Sequence, residues 1–339
     1  MSAQEGSDIP FSIVPPNQLQ HFRLLELTPD LVDVLSSDNA PILKLKSAED
    51  SSAHAVLCTS NQTFDLRQVS TSNELYVIRP SKDSSDGSSG LVAIGQPQST
   101  LEVMPSKPRL AVPLVQAAVP VYASTGHAGD GGRVISKTDL FANLPLSDAE
   151  CEQAWIDLAC FEHNGHAVVP NANVKVKVWN GILTTATANG IDLSGPLDQE
   201  QQAKLVASDD DWPSSLCEAV LRSMLASATG GDELHLDEIK SVRCIGASLL
   251  KDQTESRQNL SESAFLAAWA DSLPEQWRGR AELKLLQGSY RKEAGHIAFS
   301  QTQSNLEVPG NGDATSITSS AAGAKRKWHE KFRSTKRGG

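Results

Sequence analysis

The final fifteen residues hold the densest chemistry in the chain. Lys325, Arg326, Lys327, Lys331, Arg333, Lys336 and Arg337 are seven cations set around Trp328 and Phe332, with Glu330 the one carboxylate among them. Cations neutralise phosphates and release counterions, and aromatic rings stack on unpaired bases. The pattern therefore points to DNA contact, and equally to a nuclear import signal. Sequence-specific readout is not expected, because no helix carries the Arg and Asn side chains that read base edges.

Other reactive residue types do not assemble into a site. His163 and His166 are three apart, but Asn164-Gly165 between them reads as a turn, and no further ligand stands at metal-finger spacing. Gly126-His127-Ala128-Gly129-Asp130-Gly131-Gly132-Arg133 lacks the Lys and hydroxyl that a phosphate-binding loop needs. Asp209-Asp210-Asp211 precedes Trp212-Pro213 and reads as a solvated helix cap. No G-x-S-x-G elbow is present. Cys58, Cys151, Cys160, Cys217 and Cys244 are odd in number with no C-x-x-C, the mark of ordinary buried thiols in a reducing compartment. The expectation is a protein without metal or cofactor and without catalysis. An enzyme lacking any recognisable motif stays as an alternative, since carboxylate pairs leave no local signature.

The 339 residues are 39% hydrophobic and only 5% aromatic, enough for two or three lean-cored domains. The net charge of −11 is uneven: the tail contributes +6, which leaves −17 for the body. Such a body is not drawn to nucleic acid by net charge, so contact must come from local patches. The longest apolar run, Leu110 to Ala123, is too short for a membrane span and is interrupted by Pro113 and Pro120. The first ten residues lack the basic and apolar regions of a secretory signal.

The elements change character along the chain. Residues 1–18 are polar and read as disordered. Residues 19–125 read as a β-rich, barrel-like partner-binding domain whose strand edges need neighbours. Within it Val56, Cys58, Phe64 and Leu66 sit at period-two spacing on one expected buried face, with Thr63, Asp65 and Arg67 opposite. Leu75-Tyr76-Val77-Ile78 and Leu91-Val92-Ala93-Ile94 read as buried strands. From about residue 134 the period becomes helical. Ser147-Asp148-Ala149-Glu150 has the form of a capping box, followed by Cys151, Ala154, Trp155 and Leu158 on one face. Three winged helices are expected, at 134–195, 209–255 and 260–300. A linker at 302–324 and the basic tail at 325–339 follow. The fold class is α+β: an N-terminal β-rich barrel-like domain, then tandem winged-helix domains.

Several segments in order carry a family resemblance. They are Val56-Leu57-Cys58-Thr59, Thr63-Phe64-Asp65-Leu66-Arg67 and Thr71-Ser72-Asn73, after Leu24-Leu25-Glu26-Leu27-Thr28-Pro29-Asp30-Leu31. Later come Phe265 to Glu275 (F-x-x-x-W-x-x-S-L-P-E), Leu286-Gln287-Gly288, Ile297-Ala298-Phe299 and Lys327-Trp328-His329-Glu330-Lys331-Phe332. Over most of residues 20 to 300 the chain resembles the Dcc family of sister chromatid cohesion proteins, subunits of an alternative, replication-factor-C-like clamp loader. The resemblance implies part of a three-chain β-barrel shared with the large ATPase subunit and a small barrel subunit. It implies winged helices, one touching the catalytic subunit of DNA polymerase epsilon and others near DNA. It implies a nuclear protein that meets the sliding clamp only indirectly and has no membrane partner. Leu66, Asn73 and Leu75 are the candidates for fold or partner interface. A stand-alone winged-helix DNA-binding regulator is the rival reading.

Overall fold

A computed structural model describes residues 9, 11–47, 55–70, 72–81, 90–106, 111–123, 135–207, 211–226, 234–256, 260–293 and 295–300. The linker at 302–324, the tail at 325–339 and the Gly-rich run at 126–133 lie outside them.

The N-terminal part is two sheets. Its elements are β1 (Phe11–Ile13), β2 (Leu24–Glu26), α1 (Pro29–Leu35), β3 (Lys44–Lys46), β4 (Val56–Cys58), β5 (Thr63–Ser70), β6 (Val77–Ser81), β7 (Gly90–Gly95) and β8 (Ser99–Pro105). A five-stranded sheet runs β2-β8-β5-β4-β3 and a three-stranded one runs β1-β7-β6. Together they form a curled half-barrel. Strand β1 pairs parallel with β7, and β2 pairs parallel with β8, so the two links between the sheets run side by side. Gly95 ends β7 where Phe22 crosses it; a Cβ there would lie 2.2 Å from the Phe22 ring. The stretch 1–18, read from sequence as disordered, thus contributes β1, because Phe11-Ser12-Ile13 finds backbone partners on β7.

The strand faces differ from the sequence expectation. Leu57 lies opposite Phe64, Leu66 opposite Val103, and Cys58 opposite Thr63. Directly opposed residues share a face, so Leu57, Phe64, Leu66 and Val103 form one side, capped by Leu31 of α1. Val56 and Cys58 lie on the other side with Thr63 and Asp65, and not with Phe64 and Leu66. The period-two pattern is ambiguous here because β4 is buried on both faces. The segment Leu75-Tyr76-Val77-Ile78 also departs from expectation. Its strand begins at Val77, carries a register irregularity there, and is largely exposed at the sheet margin.

The C-terminal part repeats one element order three times. First come α2 (Ala111–Ala118), β9 (Val121–Tyr122), α3 (Lys137–Asn143), α4 (Asp148–Asp157) and the hairpin β10 (Phe161–His163) with β11 (His166–Pro170). Next come α5 (Ala172–Asn189), β12 (Pro196–Leu197), α6 (Gln199–Val206), α7 (Ser214–Ser223) and β13 (Leu234–His235), where a Leu225–Leu236 bridge begins a hairpin. Last come α8 (Glu238–Ser256), a bridge at Ser261 to His296, α9 (Glu262–Asp271), two 3-10 turns over Glu275–Arg280 and Leu283–Leu286, and the hairpin β14 (Tyr290–Glu293) with β15 (His296–Phe299). Each set is helix, short strand, helix, helix or turn, hairpin, with the short strand paired to the returning hairpin strand.

Local sequence explains these starts and stops. Ser147 and Glu150 make the reciprocal capping box expected for α4, and Asp198 with Gln201 makes another for α6. Asn171 and Ser261 cap α5 and α9. Gly190 ends α5 with φ 65°, which a glycine adopts without strain. Val174, Val178, Ile182 and Ala186 are buried on α5 as the helical period predicts. The second and third sets share one core, which also takes in Tyr122, Phe161 and Val168 of the first. Trp179 donates its indole N–H to the Ser272 carbonyl at 2.7 Å, and Trp269 donates to Val242 at 3.0 Å.

The Trp269 ring lies flat against α8 at Gly246, where an added Cβ would sit 2.3 Å from it. In a helix interior, Gly to Ala gains about 0.5 to 1 kcal/mol. Overpacking a filled core costs about 1 to 3 kcal/mol. The Trp269 ring is fully buried and hydrogen-bonded, so it cannot yield and the clash wins. Gly246→Ala is expected to lower stability by about 1 to 2 kcal/mol, read from urea unfolding midpoints; a more stable variant would show that the ring has room.

Candidate partner-docking surface

A buried lysine ties the two halves together. Lys46 on β3 is only 7% exposed. Its ammonium donates to the carbonyls of Phe141 at 2.8 Å and Leu146 at 2.6 Å, and it stands 3.4 Å from the Asp148 carboxylate. Phe141 lies in the last turn of α3, where free carbonyls attract a cation. Lys44, two residues away on the same face, pairs with the other Asp148 oxygen at 2.5 Å. Next to it, Thr63 on β5 donates to Glu150 at 2.5 Å and accepts from the Ser147 backbone N–H at 2.8 Å. The Ala149 N–H donates to the Ser60 carbonyl at 3.0 Å. The capping box of α4 is therefore shared with the β4–β5 hairpin, and sheet atoms satisfy amides that a helix start leaves unpaired.

This clamp uses one face of β3 and leaves the other open. Leu45 lies opposite Leu57 on the α1 side, yet it is 68% exposed, and Ile42 just before it is 82% exposed. Strand β3 is an outer strand of its sheet, so its free edge is a template for another chain. The three-stranded sheet is similar. β1 is an outer strand carrying exposed Phe11 and Ile13, and β6 is the opposite outer strand with exposed Ile78. Phe11 meets Tyr76 edge to face at 6.0 Å. Exposed apolar side chains along unpaired edges mark interaction surface. At the corner between the sheets a cavity of about 590 Å³ is walled by polar side chains, among them Arg23, Gln68 and Gln98.

The residues singled out from sequence fall in different places. Leu66 is in the core under α1, Leu75 is half-buried, and Asn73 is exposed in the bend before β6. Lys325, Arg326, Lys327, Lys331, Arg333, Lys336 and Arg337 lie outside the described residues. Ile42, Leu45, Phe11 and Ile13 were not picked out from sequence. The alternation Leu43-Lys44-Leu45-Lys46 was the available signal, but it does not tell which face ends up covered.

The buried thiols of this region offer little nucleophilic chemistry. Burial pushes the Cys151 and Cys160 thiols up to about 12, and burial also raises Cys58. Protonated thiols are poor nucleophiles. Among the described residues no group of three or more His, Cys, Asp or Glu could hold a metal ion. Among the same residues, no helix is long and apolar enough to cross a membrane.

The described residues thus form an open half-barrel with apolar outer strands, clamped onto the first of three helix-and-hairpin sets. The family model for sister chromatid cohesion protein Dcc1 matches residues 22–304, and the chain belongs to this family. No curated protein matches it. The family consists of non-catalytic cohesion factors that act on chromatin within a protein complex, and the role of this chain is in sister chromatid cohesion.

The Lys44 hydrogen bond, aided by the Lys46 charge, holds the Asp148 carboxyl below its ordinary value of 3.8. Because the folded-state value is depressed, the pair stabilises the fold fully above the unfolded value. That contribution fades as pH falls through the lower folded value. Asp148 is partly exposed, so Asp148→Asn is expected to cost about 0.5 to 1 kcal/mol at pH 7. The gap from wild type should close below pH 3.8; a gap that persists there would assign the loss to something other than charge. Lys46→Met strips the donor from one buried and one partly buried carbonyl and should cost about 3 kcal/mol at pH 7 in the same unfolding assay.

Proposed function

We propose that this chain is the non-catalytic tethering subunit of an alternative clamp loader that loads or unloads the sliding clamp at replication forks. The half-barrel is completed by strands from the large ATPase subunit and a small barrel subunit. The three repeated sets are winged helices spanning about 111–170, 172–237 and 238–300. Each begins at a helix earlier in the chain than the sequence boundaries of 134–195, 209–255 and 260–300. They hold the catalytic subunit of DNA polymerase epsilon and DNA, and the basic tail adds phosphate contacts. The protein works in the nucleus. ATP hydrolysis belongs to the partner subunits.

One observation carries this reading: the outer strand β3 shows Leu45 to solvent, with Ile42 exposed just before it, while the face that carries Lys44 and Lys46 is locked to the α3–α4 corner. A strand held so firmly yet left uncovered is preorganised for strand addition, in which main-chain bonds give affinity and side-chain pockets give selectivity. Preorganisation removes the ordering entropy that binding otherwise opposes. Holding loader, polymerase and DNA on one chain raises the local concentration of each for the others. Family membership supports the cohesion complex as the setting.

The test is co-expression of the chain with the large and small loader subunits. The double substitution Ile42→Ser, Leu45→Asp should abolish co-purification while moving the melting temperature of the isolated chain little, since both side chains are already in water. Undiminished assembly would remove β3 from the interface. For the tail, about four phosphate contacts imply that deleting residues 325–339 flattens the salt dependence of DNA binding by roughly 3 to 4 log–log units. An unchanged slope would take the tail out of the DNA site.

A further inference from the structure

Lys175 and Cys244 line one narrow cleft between α5, α7 and α8, with Trp179, Ser223 and Ser248 beside them. The cleft encloses about 10 Å³, room for one water. It lies on the seam that joins the second and third helix-and-hairpin sets. Of the five cysteines, Cys58, Cys151, Cys160 and Cys217 are buried and Cys244 alone is partly exposed. Lys175 is half-buried in the early turns of α5. The ionisable groups acting on its amine are the thiols of Cys244 and Cys160 and the ammonium of Lys251, with no carboxylate among them. Burial first, and Lys251 with it, holds this amine below its ordinary value of 10.5. A lysine desolvated beside a second cation keeps more of its neutral, nucleophilic form near pH 7. A thiol with some access to solvent is the better first nucleophile toward a thioester.

We propose that Cys244 and Lys175 form a modification site that accepts an acyl group from an acyl thioester of the coenzyme A class. In the first step the Cys244 thiolate attacks the thioester carbonyl. An Sγ–C bond forms, the donor C–S bond breaks, and the donor leaves as a thiol carrying the proton that Cys244 lost. In the second step the neutral Nζ of Lys175 attacks the carbonyl now on Sγ. An N–C bond forms and the Sγ–C bond breaks. The proton from nitrogen returns to Cys244, whose thiol is regenerated. The products are an amide on Lys175 and a free donor thiol; no oxidant or reductant is consumed. The amide removes a charge that burial disfavours. It also adds bulk to a cleft with room for one water, so modification loosens the seam between the two sets. The proposal does not depend on the clamp-loader reading.

The test uses the full chain incubated at pH 7.5 with acetyl coenzyme A, followed by peptide mapping by mass spectrometry. Lys177, exposed two residues along α5, is the internal reference. Lys175 should acetylate about tenfold faster than Lys177, because a desolvated amine keeps more of its neutral form and has a thiol relay beside it. Cys244→Ser should remove that advantage and leave the Lys177 rate unchanged. Lys175→Arg should trap a hydroxylamine-labile acetyl group on Cys244. Equal labelling of Lys175 and Lys177 in the wild-type chain overturns the site, whatever the variants do. Labelling of Lys175 that ignores Cys244→Ser overturns the relay.

Discussion

The architecture depends on one buried ammonium. Lys46 has almost no access to water, and its charge is tolerated because two carbonyls and a carboxylate of the helical half surround it. A buried charge without such partners would be strongly destabilising. The sheet therefore cannot leave the α3–α4 corner without stranding that charge, and α4 cannot leave without losing the Thr63 and Ser60 contacts that complete its first turn. A small half-barrel with a five-residue buried cluster becomes a fixed platform through polar bonds to a neighbour.

That fixation gives the open edges their meaning. An unclamped outer strand with a leucine in water would be an aggregation hazard. Held in place from one side, β3 presents a defined surface, and β1 and β6 do the same on the second sheet. The helical half is built differently. Its second and third sets merge through Trp179, Trp269 and the Gly246 approach into one core, so their surfaces move together. A fixed platform joined to a shared helical core suits the tethering role proposed above.

Much of the helical half was legible because its signals are local. The Ser147–Glu150 box and the apolar stripe of α5 each act within a few residues, and each appears where the spacing places it. The β-half was less legible. Alternation in Val56-Leu57-Cys58 cannot assign faces when both faces are covered, and Phe11-Ser12-Ile13 carries no sign that a partner lies some eighty residues away on β7. The threefold element order was legible only as a recurring alternation of helical and wing-like stretches. Its sets share no residue pattern, only a path, and the last replaces a helix with two 3-10 turns.

By itself the sequence determined the family, the α+β class, the capped start of α4 and the absence of familiar catalytic motifs, since all of these reside in residue types at short spacing. Only the tertiary structure decided which leucines face water. Leu45 and Leu57 look alike in the chain and oppose each other in the sheet; one is exposed and the other buried because α1 and its neighbours reach only as far as Leu57. Exposure is a property of what lies across a gap, and the chain does not write that next to the residue it concerns.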